Sequence, residues 1–425
     1  MGSRLYEQDG SGDKELWVSH NDSNHADLAL DNQGKSINST IHTKDDTKNN
    51  GELDETGIVD DVYSFNMYQS FISDLKKWKN DEKIIADYDF IPYDWRLSLG
   101  DIITNGASFN GNISYNTFQN FSESFIFKKL EDLQKSSKSG KVTIIAHSNG
   151  GLVAKALIQK LKDTNNPLYD KIDKVILIAV PQVGTPDAVI NLLHGSEIGP
   201  FGFIMRADRS RQLSENMSSV YNLLPSAGYF TMPQVPFVPE NLITFENKLF
   251  FNLQKSIYGL NISDEVDLKN YILGTEESRI KPSFSDTVHP NNGNNTLYDQ
   301  AQAVHQILDN WQPSPNTKVI QVAGWGEETT VGLDYKAYVD FSGNEYLSYK
   351  PRKVIDGDGV VVVPSALWMS QSPNVERWWV DLNKYNEENI PDRVHRDILE
   401  VSDLLDFINS EIKDSTFIDT NNVLV

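Results

Sequence analysis

The chain has 425 residues, no cysteine, and 38 Lys plus Arg against 60 Asp plus Glu, for a formal net charge of −22. That length holds one large α/β domain with insertions or two ordinary domains. The charge argues against nucleic-acid phosphates and anionic membrane surfaces as partners, and the missing cysteines exclude disulfides, thiolate metal sites and cysteine nucleophiles.

No apolar run reaches the ~20 residues of a membrane span. The best candidate, KVILIAVPQVGTPDAVINLL, is broken by Pro181, Gly184, Pro186 and Asp187. The start, MGSRLYEQDGSGDKELW, has neither the basic flank nor the apolar core of a signal peptide. Residues 19–57 are rich in Asn, Asp, Ser, Thr and Gly and read as long irregular loops. A calcium loop beginning at Asp46 fails, because Lys48 takes a ligand position and Gly57 stands where the closing Glu belongs. No segment calls for a metal or a cofactor.

The spacing of Phe65, Tyr68, Phe71, Ile72, Leu75 and Trp78 predicts a helix, and KIIADYDFIPYDWR a buried strand running into a proline corner. A helix is expected over residues 121–135, a strand over 142–146, a helix over 149–162 and a strand over 175–180. Strand, helix, strand in about forty residues is a βαβ unit, which implies a parallel sheet covered on both faces. Residues 181–316 read as an insertion of helices and loops between an N-terminal part (1–180) and a C-terminal part (317–425). In the last part a strand resumes at 318–323, an apolar run surrounds 360–363, and Leu404, Leu405, Phe407 and Ile408 mark a closing amphipathic helix.

The chemistry-bearing stretch is VTIIAHSNGGLVAK, residues 142–155. A strand, then A-x-S-x-G around Ser148, then a helix is the context of a nucleophile displayed on a tight turn. In that context the Asn149 amide and the positive end of the helix face the oxyanion. Gly151 lets the helix lie close to the sheet. On such a fold the acid and then the base follow the serine. Of eight histidines only His395 lies in the last quarter of the chain, just before the terminal helix, a place suited to a base on a flexible loop. His147 is expected to point away from the site. The acid is expected in VIDGDGVVVVPSA, where Asp358 heads an Asp-Gly-x-Val pattern and Asp356 is the alternative. Ser148, His395 and Asp358 in this order describe an acyl-transferring serine enzyme with a covalent intermediate.

Several segments resemble the lecithin:cholesterol acyltransferase family: IPYDWRLS at 91–98, AHSNGGLV around Ser148, AVPQVGTPDAV at 179–189, NMSSVYNLLPS at 216–226 and DGDGVV around Asp358. The resemblance implies an α/β-hydrolase fold, a mostly parallel sheet with helices on both faces, with residues 181–316 as cap and mobile lid. It implies ester lipids as substrates, and it carries Ser148, Asp358 and His395 over as the triad. MGSRLYE resembles the residues just after the family's first long strand, so that strand is expected to be missing and the second oxyanion donor to lie at or just before Met1.

Phe201 and Phe203 in GPFGFIMRAD are expected to form an apolar substrate-facing or lid surface, and Trp95 to line the acyl pocket or simply form a structural corner. Three readings stay open. The first is a lipid acyl hydrolase or O-acyltransferase that touches lipid surfaces transiently and prefers neutral or zwitterionic substrates. The second is a serine esterase on other esters, and the third a weakly catalytic binding protein of the same fold. Compartment is left open.

Overall fold

Strand alternation decides how this chain layers. In the computed structural model, which describes residues 2–10, 12–19, 21–45, 48–49, 52–53, 57–62, 65–198, 204–232, 241–275, 279–417 and 422–424, the first strands are β1 (Leu5–Asp9) and β2 (Gly12–Trp17), followed by β3 (Ile41–Lys44), β4 (Ala107–Phe109) and β5 (Asn112–Ser114). They form an antiparallel sheet in the order β2-β1-β3-β5-β4. The described part of residues 19–57 is therefore more regular than its composition suggests, with a short helix at Asp22–Asp27 as well as β3. Three of its apolar residues face inward: Leu28, Leu30 and Ile41 join Trp17 and Trp95 in one core. The buried Arg96 guanidinium pairs with Asp94 and donates to the Leu28 carbonyl at 2.8 Å, fastening this segment down.

The central sheet is β6 (Val142–His147), β7 (Ile172–Ile178), β8 (Lys318–Trp325) and β9 (Val375–Asp381), all parallel, with β10 (Val423–Leu424) antiparallel at its edge. Along β7, Val175 and Leu177 enter one core while Ile176 and Ile178 enter another. Side chains alternate across a strand, so a strand apolar at every position must be covered on both faces. One face carries helices α2 (Phe125–Ser136), α3 (Asn149–Asp163) and α4 (Asn295–Leu308); the other carries α1 (Gln69–Asn80) and α5 (Ser402–Ile412). The molecule is thus a mixed α/β protein with helices on both sides of a parallel sheet. Each fully buried Leu or Ile contributes roughly 1.5–3 kcal/mol to that layering.

Three segments depart from their periodicity. Phe65 falls outside α1 and is half exposed, because the helix begins only at Gln69. Residues 84–92 pair with no strand among the described residues; Ile84, Ile85, Tyr88 and Phe90 pack as an extended segment against the α1 core instead. The apolar run at 360–363 becomes a turn into the short helix Val363–Ala366. A long hairpin of Thr329–Val339 and Glu345–Val354 leaves the central sheet, its first strand pairing in parallel with Ile243–Phe245 from the middle of the chain. The alternation of Val331, Leu333, Tyr335 and Ala337, all buried, was the signal for it.

On α3, Lys155 is fully buried. Its ammonium donates to Gln182 Oε1 at 2.5 Å and lies 5.6 Å from the Trp311 ring centre, while Gln182 donates to Gln321 and to the Ala366 carbonyl. Loss of hydration pushes this amine down to about 7, against the opposing pull of the Asp309 charge. The unfolded chain, whose lysines titrate near 10.4, then binds more protons than the folded one above pH 7. Stability should consequently rise with pH across that interval. Urea midpoints should increase from pH 7 to pH 9, and Lys155→Met should flatten the increase; an unchanged slope in the variant would rule Lys155 out as its source.

Candidate active site

Ser148 sits between β6 and α3 with φ 54° and ψ −133°. A non-glycine residue keeps such a conformation, at a cost of about 1–3 kcal/mol, only where its surroundings over-determine it. Here the Ser148 N–H donates to the Ile178 carbonyl at 3.0 Å, and its own carbonyl accepts from the Gly151 N–H at 2.9 Å. Ala146, buried opposite Leu177, fits its methyl group within the sheet. Gly151 has no such latitude: a Cβ there would stand 2.2 Å from Val180 Cγ2.

The fold brings three distant residues together at this turn. His395 Nε2 is 2.8 Å from Ser148 Oγ, and His395 Nδ1 is 2.8 Å from Asp358 Oδ2. Asp358 is fully buried, and its Oδ1 accepts from the Val360 and Val361 N–H groups at 3.0 and 2.8 Å. One carboxylate oxygen is thereby fixed by backbone while the other is aimed at His395. A carboxylate so placed holds the imidazole proton on Nδ1 and leaves Nε2 free to accept one from Ser148. Asp356, the alternative acid, makes no bond to His395; its Oδ2 is buried without a partner among the described residues.

His395 is not on a loose loop. It begins the 3₁₀ helix His395–Glu400, and its own N–H donates to the Asp358 carbonyl at 2.7 Å. On either side, the Arg393 N–H reaches Asn386 Oδ1 at 2.7 Å, and the Glu400 carboxylate takes the Ser70 N–H and hydroxyl at 2.8 and 2.7 Å. These bonds tie the histidine segment to two other parts of the chain.

His147 turns toward the site rather than away from it. Its Nε2 donates to the His395 carbonyl at 2.8 Å, its Nδ1 accepts from the Tyr68 hydroxyl at 2.9 Å, and the two imidazole centres are 5.0 Å apart. Burial first, and the His395 charge second, hold His147 well below the usual imidazole range. It is neutral, and this is the neutral form that satisfies both partners. The period-two alternation that puts His147 on the same face as Ile145, packed against the α1 core, would have located it.

Asn149 opens α3, and its Oδ1 is buried with no hydrogen-bond partner among the described residues. Ser3 accepts from the Tyr93 N–H and the Trp95 indole N–H at 3.0 and 3.1 Å, so the first described residues run beside the tyrosines that flank the turn. Met1, Phe201 and Phe203 lie outside the described residues. Ile204 and Met205 are buried in the large core. Trp95 is 4% exposed, set edge-on against Trp17 at 5.4 Å, which accounts for the side chain as a structural corner. A further carboxyl, Asp187, feels the charges of His395 and Asp358; burial pushes it up to about 6.

Gly151→Ala should destabilise the fold by about 1–3 kcal/mol through overpacking. Gly150→Ala, whose nearest neighbour is Tyr93 Oη at 4.0 Å, should cost much less. Urea titration of the two variants checks the difference.

A family model described as lecithin:cholesterol acyltransferase matches residues 50–399. Among solved structures, a chain of the Tle4-Tli4 complex, known from its crystal structure, is similar over 97% of this chain and 96% of its own, with 12% identity and a TM-score of 0.48. No curated protein matches the chain.

Proposed function

The chain belongs to the lecithin:cholesterol acyltransferase family, whose model spans most of it, and on that premise we propose that it is a serine-dependent lipid acyl hydrolase or O-acyltransferase with an α/β-hydrolase core. The observation that carries the proposal is the hydrogen-bonded chain from Ser148 Oγ through His395 to Asp358, assembled at a strained strand-to-helix turn.

In the proposed reaction Ser148 Oγ attacks the ester carbonyl while His395 Nε2 takes its proton. Asp358 stabilises the imidazolium without itself becoming protonated. The negative oxygen of the tetrahedral intermediate faces the Asn149 N–H and the positive end of α3. His395 then protonates the leaving alcohol, giving an acyl-Ser148 intermediate. Water or an acceptor hydroxyl, deprotonated by His395, releases the acyl group. Hydrolysis and transfer thus share one intermediate and differ in the hydroxyl that reaches it. His147, neutral and bonded to the His395 carbonyl, acts as a positioning residue: it supports the base without placing a second positive charge beside the imidazolium.

Ester substrates follow from family membership, and the net charge of −22 favours neutral or zwitterionic ones over anionic ones. Hydrolysis of chromogenic esters with short and long acyl chains separates the readings: activity on long chains supports a lipid enzyme, and activity confined to short, water-soluble esters supports an esterase of another class. Ser148→Ala should lower kcat by about 10⁴–10⁶-fold and abolish covalent labelling by an organophosphonate. Asp358→Asn should lower it by about 10⁴-fold. Full activity in Ser148→Ala would overturn the assignment. His147→Phe should lower kcat by about tenfold, with KM little changed, because the group it supports acts only in the transition state.

A further inference from the structure

A pocket of about 330 Å³ opens at the carboxyl ends of β8 and β9 and is lined by Trp325, Asp356, Trp379, Asp381 and Leu424. In the parallel ladder Ala323 pairs with Trp379 and Trp325 with Asp381. Alternation therefore puts both tryptophans and Asp381 on one face of the sheet, where they pack with Val361, Val363 and Leu367. Asp358 lies on the other face, against Gly324, whose added Cβ would meet Asp358 Cβ at 2.6 Å. Two carboxylates only two residues apart thus serve opposite sides of the sheet, one bonded to His395 and the other lining this pocket.

Asp356 is 8% exposed, and its Oδ2 is buried with no hydrogen-bond partner among the described residues. Burial raises its carboxyl above the ordinary range. Asp381 spends its Oδ1 on the Lys384 N–H, and two basic side chains of the adjacent hairpin are engaged elsewhere, Lys353 with Glu328 and Arg352 with Asp334. A buried carboxylate without a counter-charge is costly, and a cation entering the pocket would relieve it. Among the described residues no group of three or more His, Asp or Glu could hold a metal ion, and hard cations need more oxygen ligands than two carboxylates supply. Indole faces attract organic cations instead.

We propose that this pocket binds an organic monocation, a quaternary ammonium group seated against Trp325 and Trp379 with Asp356 and Asp381 as its counter-charges. The site is separate from Ser148 and does not depend on the reading of that residue. The same ammonium chemistry occurs in free choline and in choline head groups of lipids, and the experiment distinguishes the two.

Isothermal titration of the full chain with tetramethylammonium, with choline, and with the uncharged analogue in which carbon replaces the quaternary nitrogen tests the proposal. Both cations should bind at one site and quench tryptophan fluorescence, and the neutral analogue should not. Asp356→Asn, which preserves side-chain volume, and Trp379→Leu should each weaken binding by about tenfold, with thermal unfolding reporting that each variant is folded. Displacement of tetramethylammonium by phosphatidylcholine vesicles, and not by phosphatidylglycerol vesicles, would assign the cation to a lipid head group; displacement by free choline alone would assign a soluble ligand. Failure of wild-type protein to bind either cation at millimolar concentration, or equal binding of the neutral analogue, would overturn the proposal.

Discussion

The contact between Gly151 and Val180 is the constraint on which the candidate site rests. Only a residue without a Cβ lets the start of α3 approach the end of β7 so closely, and that approach compresses the connection from β6 into the turn on which Ser148 stands. The backbone strain at Ser148 is held by bonds to Ile178 and Gly151, groups fixed by the sheet and by the helix. Because both elements lie deep in the core, the cost of the turn is distributed over packing that the fold needs for other reasons.

The same economy places the other two residues. Asp358 is oriented by consecutive backbone N–H groups of its own loop, and the Gly359 N–H of that loop donates to Thr329 Oγ1. The loop after β7 closes on it from the other side, with the Thr185 hydroxyl donating to the Val360 carbonyl and the Ser365 hydroxyl to the Gly184 carbonyl. His395 is tied to Asp358 through both its backbone and its ring. Asp358 and His395 are therefore held as one unit, and their relation to Ser148 is set where that unit meets the turn.

Burial governs the electrostatics around this unit. His147 is kept neutral by desolvation directly beside His395, so charge formed on the His395 ring meets no repulsion from its neighbour. Desolvation also raises the Asp187 and Asp356 carboxyls. A chain with a net charge of −22 thus carries poorly compensated carboxylates inside as well as on its surface, which fits partners that are neutral or cationic at their points of contact.

Local pattern was enough to read the βαβ unit, the helical faces of α1 and α5, and the strand-to-helix turn at Ser148. Each of these is a statement about residues near in sequence, where period and turn chemistry act directly. Residues 19–57 escaped that reading because so few of their side chains are apolar; their order comes from Arg96 and from strands far away in the chain. The hairpin at Thr329–Val354 needed its partner Ile243–Phe245 to make sense, and residues 84–92 look like a strand in composition yet find no ladder among the described residues. The position of His147, the rigidity of the His395 segment and the distinction between Asp358 and Asp356 were likewise decided only in three dimensions. Two aspartates separated by one glycine are nearly equivalent in sequence, but the sheet passes between their side chains, and only one of them can meet a histidine.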